Sequence, residues 1–170
     1  MIERYIRDVP DFPKPGIVFK DITPLLQDPE GLALSIDGLA KVMDPSEYDL
    51  IAGIESRGFI FGTALANQVG KGFIPIRKPG KLPFTTVAES YELEYGTDTL
   101  EIHVDAIAQG QRILIVDDLL ATGGTMAAAI SLVRKVGGNP VGAAVVIELD
   151  FLSGREKLGK VPTFTLINYK

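Results

Sequence analysis

The stretch Ile113–Met126, ILIVDDLLATGGTM, holds the residues of this sequence best suited to chemistry. An apolar run ends on Asp117 and Asp118, and Ala121-Thr122-Gly123-Gly124-Thr125 then leads into a helical segment. A strand that stops on two acids leaves both carboxylates at the sheet edge where ligands collect. The paired glycines carry no Cβ, so backbone N–H groups there can approach a ligand closely. Together with two Thr hydroxyls and a helix N-terminus they form an anion site. The acids beside it suit the other half of such a ligand, either sugar hydroxyls or a bound Mg2+. Taken singly, a Gly-Gly pair is also a plain tight turn and an Asp pair also a helix cap; their joint order points to an anionic ligand. Two other phosphate loops are excluded. A Walker A loop needs Lys before its Ser or Thr, where Gly124 stands, and no G-x-G-x-x-G leads from a strand into a helix.

A second group is cationic. Of 17 Lys and Arg, five (Arg57, Lys71, Arg77, Lys78, Lys81) fall between Ser56 and Ala88, a window with none of the 22 Asp and Glu. It carries +5 in a chain of net charge −5, which leaves −10 for the rest. Glu89–Asp105 then holds six acids and no Lys or Arg. This is either chance clustering of solvated charge or a local anion-binding surface on an acidic protein. The acidic balance, without a basic tail, argues against a nucleic-acid partner. No apolar run approaches the ~18 residues that span a membrane, and the first residues lack a signal peptide's apolar core, so no membrane partner and a cytoplasmic location are expected. The absence of cysteine excludes disulfides, thiolate metal sites and cysteine nucleophiles, and fits a reducing compartment. A single histidine, His103, excludes a multi-histidine metal site within one chain and reads as an exposed structural residue on a strand's polar face.

The elements that must position these groups alternate between strand and helix. A length of 170 residues predicts a single domain, 1–170. Asp28-Pro29 reads as an N-cap and first-turn proline. Leu32, Ile36, Leu39 and Met43 then follow at helical spacing, with Asp44-Pro45 as the stop. Leu50–Ile54 is a run of the kind buried on both faces. Phe59–Val69 is apolar nearly all round, which predicts a buried helix closed by Gly70. Phe73–Ile76 is a further strand, put at an edge or bulge by Pro75. Lys78–Gly96 has two prolines, two glycines and few packing positions, and reads largely as a long mobile excursion. Thr99–Val104 alternates like a half-buried strand. Ile113–Val116 is a fully apolar one, followed by the helix Met126–Val136 with Gly137-Gly138 after it, and Val141–Ile147 and Phe164–Ile167 are the last strands. This order predicts an α/β fold, a mainly parallel twisted sheet flanked by helices.

ILIVDDLLATGGT closely resembles the phosphoribosyl-diphosphate motif of type I phosphoribosyltransferases: an apolar strand, two acids, then a loop ending in T-G-G-T. FPKPGIVFKDITPLL (12–26), IESRGFIFG (54–62), RKPGKLP (77–83), SYELEYG (90–96) and GREKL (154–158) resemble the adenine-using branch of that family, in order along almost the whole chain. The resemblance implies a purine-salvage reaction in which adenine and 5-phosphoribosyl 1-diphosphate give AMP and pyrophosphate. It also implies Mg2+ held mainly by substrate and water, a homodimer, and a small N-terminal hood (about residues 1–30) that binds the base.

By the same resemblance Ala121, Thr122, Gly123, Gly124 and Thr125 hold the 5′-phosphate. Asp117 and Asp118 bind the ribose hydroxyls and favour positive charge developing on the sugar. Glu55, Ser56 and Arg57 match the family's pyrophosphate loop, with a cis peptide expected at Glu55–Ser56. Arg57 and Lys81 contact pyrophosphate, and Arg77 reaches it or a neighbouring subunit's site, while Lys78 reads as plain solvated charge. Val18, Phe19 and Lys20 match the adenine-binding segment. There a backbone carbonyl and N–H would tell a 6-amino from a 6-oxo purine, and Phe19 would stack on the base. On its own surroundings, Phe19 reads as core. Glu94 engages the purine N7 side as an acid–base or positioning group, or is a solvated loop acid. Arg155 and Lys157 in GREKL read as structural. A transferase for another base and a non-enzymatic phosphoribosyl-diphosphate binder are the alternatives. The hood segment opposes the first, and the lack of a DNA-binding segment or basic face opposes the second.

Overall fold

The structure is a computed structural model that describes every residue except Glu94. A hairpin of β1 (Arg7–Pro10) and β2 (Val18–Asp21) comes first, then helices α1 (Thr23–Gln27) and α2 (Pro29–Ala40). β3 (Leu50–Ile54), α3 (Arg57–Val69) and β4 (Gly72–Ile76) follow, and a second hairpin, β5 (Thr86–Glu92) and β6 (Thr97–His103). The chain ends with β7 (Arg112–Leu120), α4 (Gly124–Lys135), β8 (Asn139–Leu149) and β9 (Thr163–Tyr169). Strands β4-β3-β7-β8-β9 form one sheet, every neighbouring pair parallel. The expected α/β architecture is therefore the observed one.

Alternation along β7 divides the core. Ile113 and Ile115 face a layer completed by α4 and the β5–β6 hairpin, while Leu114 and Val116 face α1, α2 and α3. Strands so covered must be apolar on both faces, and β3 and β7 are. Pro75 sits on β4, the outermost strand on its side, where a missing N–H costs no ladder bond toward a further strand. Asp28 caps α2 by accepting from the Gly31 N–H at 2.9 Å. Asp49 accepts from the Arg112 backbone N–H at 2.8 Å and from its guanidinium at 2.9 and 3.2 Å, tying the start of β3 to that of β7.

Four expectations are corrected. The helix opened by Asp28-Pro29 stops at Ala40, so Met43 packs on the core from beyond it. Helix α3 is one-sided: Phe61 and Leu65 are buried while Ile60, Thr63, Asn67 and Gln68 are exposed, because only one face meets the sheet. The stretch 78–96 is not one unbroken excursion, since Thr86–Glu92 within it pairs along its length with β6. β7 does not end on its acids, because β8 is long enough to keep it paired as far as Leu120↔Glu148.

Candidate active site

The sheet's connections leave in opposite directions from the β3–β7 pair, β4 outward on one side and β8 and β9 on the other. Beyond the carboxyl ends of strands at such a switch point, a parallel sheet leaves a crevice. A cavity of about 680 Å³ lies there. Glu55, Ser56, Arg57, Lys78 and Lys81 line one side, and Asp117 through Gly123, with Thr125, line the other. The Glu55–Ser56 peptide is cis.

The two acids differ. Asp118 is nearly buried, and its Oδ2 meets Arg57 Nε at 2.8 Å. Asp117 accepts from the Asp118 backbone N–H at 2.9 Å. Burial pushes the Asp117 carboxyl well above the usual carboxylate range, and the neighbouring Asp118 charge adds to the rise. A Cβ added to Gly58 would stand 2.9 Å from Asp117 Oδ1, so the glycine after Arg57 lets the α3 turn close on the acids.

Glu55 gathers the cations. Its Oε1 meets Lys81 Nζ, its Oε2 lies 3.4 Å from Arg77 Nε, and Oε2 accepts from the Lys78 backbone N–H at 2.8 Å. Burial works to raise this carboxyl, but the bonds from Lys81 and Lys78 outweigh it and hold Glu55 below its usual value. Arg77 therefore reaches the cavity through Glu55, with its guanidinium carbon 5.8 Å from the Phe59 ring centroid.

The loop after β7 ends on Gly123, whose φ of +87° favours glycine; no side chain caps α4. The first N–H groups of this 12-residue helix thus point at the cavity end unclaimed by a cap. A Cβ on Gly123 would stand 2.3 Å from the Gly154 carbonyl oxygen, so the Gly154–Leu158 turn is the loop's outer wall. Gly124 faces instead a neighbouring cavity of about 460 Å³ with Tyr91 and Lys157. Thr125 Oγ1 donates to Tyr91 Oη at 3.2 Å, and Tyr91 donates to Asp98 Oδ2 at 3.2 Å. Asp98 also holds Lys78 Nζ.

Thus Glu55, Ser56, Arg57, Lys81, Asp117, Asp118, Ala121, Thr122, Gly123 and Thr125 share one cavity, with Arg77 behind it and Gly124 turned to the neighbouring cavity. Val18, Phe19 and Lys20 stand beside it in β2. The Arg57 guanidinium carbon lies 5.8 Å from the Phe19 ring centroid, and Phe12 meets Phe19 edge to face at 5.2 Å. The Lys20 ammonium turns away to Asp8 at 2.6 Å and the Tyr169 ring at 4.0 Å. Glu94 lies outside the described residues. Tyr91, Asp98 and Gly154 were not singled out for the phosphate loop by sequence. Each lies far from it along the chain; the only local sign was a glycine opening GREKL.

A family profile described as "Phosphoribosyl transferase domain" matches residues 20–168. Over 161 residues the chain is 59% identical to the adenine phosphoribosyltransferase of Thermobifida fusca, covering 95% of this chain and 92% of that protein. Its fold is similar to the crystal structure of adenine phosphoribosyltransferase from Thermoanaerobacter pseudethanolicus, with a TM-score of 0.95, 54% identity, and 99% and 98% of the two chains covered. It is also similar to the Saccharomyces cerevisiae enzyme, solved with an imino-altritol bisphosphate and adenine, at a TM-score of 0.93 and 42% identity over 98% and 96% of the chains.

Proposed function

This chain belongs to the phosphoribosyltransferase family, and on that premise we infer that it transfers the 5-phosphoribosyl group of 5-phosphoribosyl 1-diphosphate to adenine. The purine N9 attacks C1′ of the sugar, the C1′–O bond to pyrophosphate breaks, the imidazole proton of the base passes to the departing pyrophosphate or to water, and AMP and pyrophosphate result. The observation that carries this is the meeting of an acid pair, a cation group and an open helix N-terminus around one cavity. These match, in order, a sugar, a diphosphate and a phosphate monoester.

In the proposed assignment, Ala121–Thr125 receive the 5′-phosphate on N–H groups and hydroxyls, where the α4 dipole also favours negative charge. Asp117 and Asp118 accept from the ribose hydroxyls and stabilise positive charge as C1′ loses its leaving group. Arg57, Lys81 and Arg77 take up the charge of pyrophosphate, aided by backbone donors of Glu55 and Ser56. The Glu55 side chain, itself an anion, serves by aligning the cations. Val18, Phe19 and Lys20, within the hood of residues 1–30, bind adenine through backbone groups and the Phe19 ring. The proximity of Phe19 to Arg57 supports a base held next to the leaving-group site. Glu94, outside the described residues, is assigned to engage the base. We take 1–170 as one domain.

Among the described residues no three acidic, histidine or cysteine side chains gather as a metal site. Asp118 is engaged by Arg57 and Asp117 by the Asp118 backbone N–H, so the donor set fits Mg2+ carried by diphosphate and ribose oxygens and water. When bound there it would neutralise charge on the leaving group. Among the described residues no helix is long and apolar enough to cross a membrane. A cysteine-free chain accords with a cytoplasmic place, and the family resemblance supports a homodimer.

The test is AMP formation from adenine and phosphoribosyl diphosphate, with guanine and hypoxanthine as competitors. Adenine should turn over and the 6-oxo bases should not compete. Turnover of guanine or hypoxanthine without adenine would overturn the assignment.

A further inference from the structure

Among the described residues three carboxylates are buried: Asp117, Asp118 and Glu148. The first two belong to the proposed site; Glu148, near the end of β8 and 2% exposed, does not. A carboxylate persists at such a place only with charged partners. Arg155 supplies them, Nε and Nη2 donating to the two Glu148 oxygens at 2.6 Å each. Its Nη1 donates to the Thr163 carbonyl at 2.7 Å, so one guanidinium joins β8, the Gly154–Leu158 turn and the first residue of β9.

Both ends of this clamp reach the loop after β7. Glu148 is the register partner of Leu120, the residue before Ala121. Arg155 follows Gly154, whose backbone packs on the loop without space for one carbon. A Cβ on Gly154 would lie 2.4 Å from the Ala121 carbonyl oxygen, and one on Gly123 would lie 2.3 Å from the Gly154 carbonyl oxygen. At the far end of the turn Leu158 is buried in the core layer that includes α4. The loop is thus pressed between its own strand and a wall, and one bidentate pair fixes both.

We propose that Arg155, through its pair with Glu148, is a positioning residue for 5′-phosphate binding: it holds Gly154 against Ala121 and Gly123 and so sets where the loop's N–H groups point, without touching substrate. This rests on the assignment of Ala121–Thr125 to the 5′-phosphate. A bidentate planar fork is what the geometry uses, so lysine can replace it only in part.

The experiment compares wild type with Arg155→Met, Arg155→Lys and Gly154→Ala, each checked for folding by circular dichroism. Ribose 5-phosphate affinity is measured by calorimetry, and KM for each substrate by pyrophosphate release. Loop displacement of the order of 1 Å predicts about a 10- to 100-fold loss of ribose 5-phosphate affinity and a matching rise in the phosphoribosyl-diphosphate KM for Arg155→Met. The adenine KM should stay within about twofold, since uniform binding is lost only at the phosphate end. Arg155→Lys should recover part of the loss, and Gly154→Ala should reproduce it with the clamp intact. If Arg155→Met does not fold, Gly154→Ala and Arg155→Lys decide. Folded variants that are less heat-stable yet bind ribose 5-phosphate as wild type does would overturn the proposal, the clamp then serving only the β8–β9 connection. Wild-type protein that binds neither phosphosugar would instead overturn the assignment beneath it.

Discussion

Gly123→Ala adds one carbon where the loop after β7 has no space for it. The added Cβ would lie 2.3 Å from the Gly154 carbonyl oxygen, against about 3.0–3.4 Å for the tightest contacts real Cβ atoms make, so something must move by about 1 Å. The Gly154 carbonyl is backbone, beside an arginine bound at three points, and cannot swing aside like a side chain. The φ of +87° adds about 1–2 kcal/mol of strain for any L side chain. That is small against about 5–15 kcal/mol of native stability, so the variant should fold. A displacement of about 1 Å at a binding group costs on the order of 100-fold, or about 2.7 kcal/mol at 1.36 kcal/mol per tenfold. Gly124→Ala is the control. Its Cβ would stand 3.2 Å from Tyr91 Cδ2, a ring edge that can turn. Alanine also suits the first helical position better by roughly 0.5–1 kcal/mol. Calorimetry with ribose 5-phosphate, with KM for phosphoribosyl diphosphate at saturating adenine, should give about a 100-fold loss for Gly123→Ala and less than about threefold for Gly124→Ala. Equal losses in the two, or wild-type affinity in Gly123→Ala, would refute the reasoning.

Asp118→Asn removes a charge next to the proposed C1′ site and leaves the side chain's shape. It should lower kcat by about 10²- to 10³-fold with a smaller change in KM, checked by steady-state kinetics; unchanged kcat would make Asp118 a structural partner of Arg57. Tyr91→Phe deletes the hydroxyl between Thr125 and Asp98, two hydrogen bonds each contributing about 0.5–1.5 kcal/mol, while the ring stays beside Gly124. Hydrogen exchange should then speed up across Thr86–Glu92 but not in β7; uniform or unaltered exchange would show that the hydroxyl does not hold the hairpin down. Acid stability offers a signed test. The Arg112 side chain, with its backbone N–H, lowers Asp49 from 3.8 to about 2, so this stabilisation is present above pH 3.8 and is lost as pH falls toward 2. Arg112→Met should therefore melt earlier at neutral pH, with the gap to wild type closing toward pH 2 in circular-dichroism melts; a gap that does not change with pH would contradict the linkage.

The parallel sheet was legible because its central strands are covered on both faces, so Leu50–Ile54 and Ile113–Val116 had to be apolar throughout. Strand β5 was not. Of its inward side chains Val87, Glu89 and Tyr91, one is a carboxylate satisfied by Lys135 on α4 and one a phenol satisfied by Thr125 and Asp98. Polar groups whose partners on α4, Lys135 and Thr125, lie more than 30 residues away look like solvent-facing loop in a one-dimensional pattern. The same locality limited the site. Asp117, Asp118 and the glycine pair announce an anion site because their partners are adjacent in sequence. What divides the labour of that pair is the Gly154 turn behind one glycine and the Tyr91 ring beside the other. The strand's continuation past its acids was hidden for a related reason, since it depends on the length of β8.

The carboxylate of Glu55 has a further consequence. Lys81 and Arg77 already face an anion belonging to the protein. A diphosphate that draws them away exchanges one fixed counter-charge for another, and fewer small ions pass to the bulk than the number of cations implies. Affinity should then fall less steeply with ionic strength than for a cleft of unneutralised cations, whose attraction is screened over about 10 Å at 0.1 M salt. On the proposed assignment, substrate uptake in this acidic protein becomes an ion exchange conducted inside the fold, with Glu55 as the counter-charge that is given up.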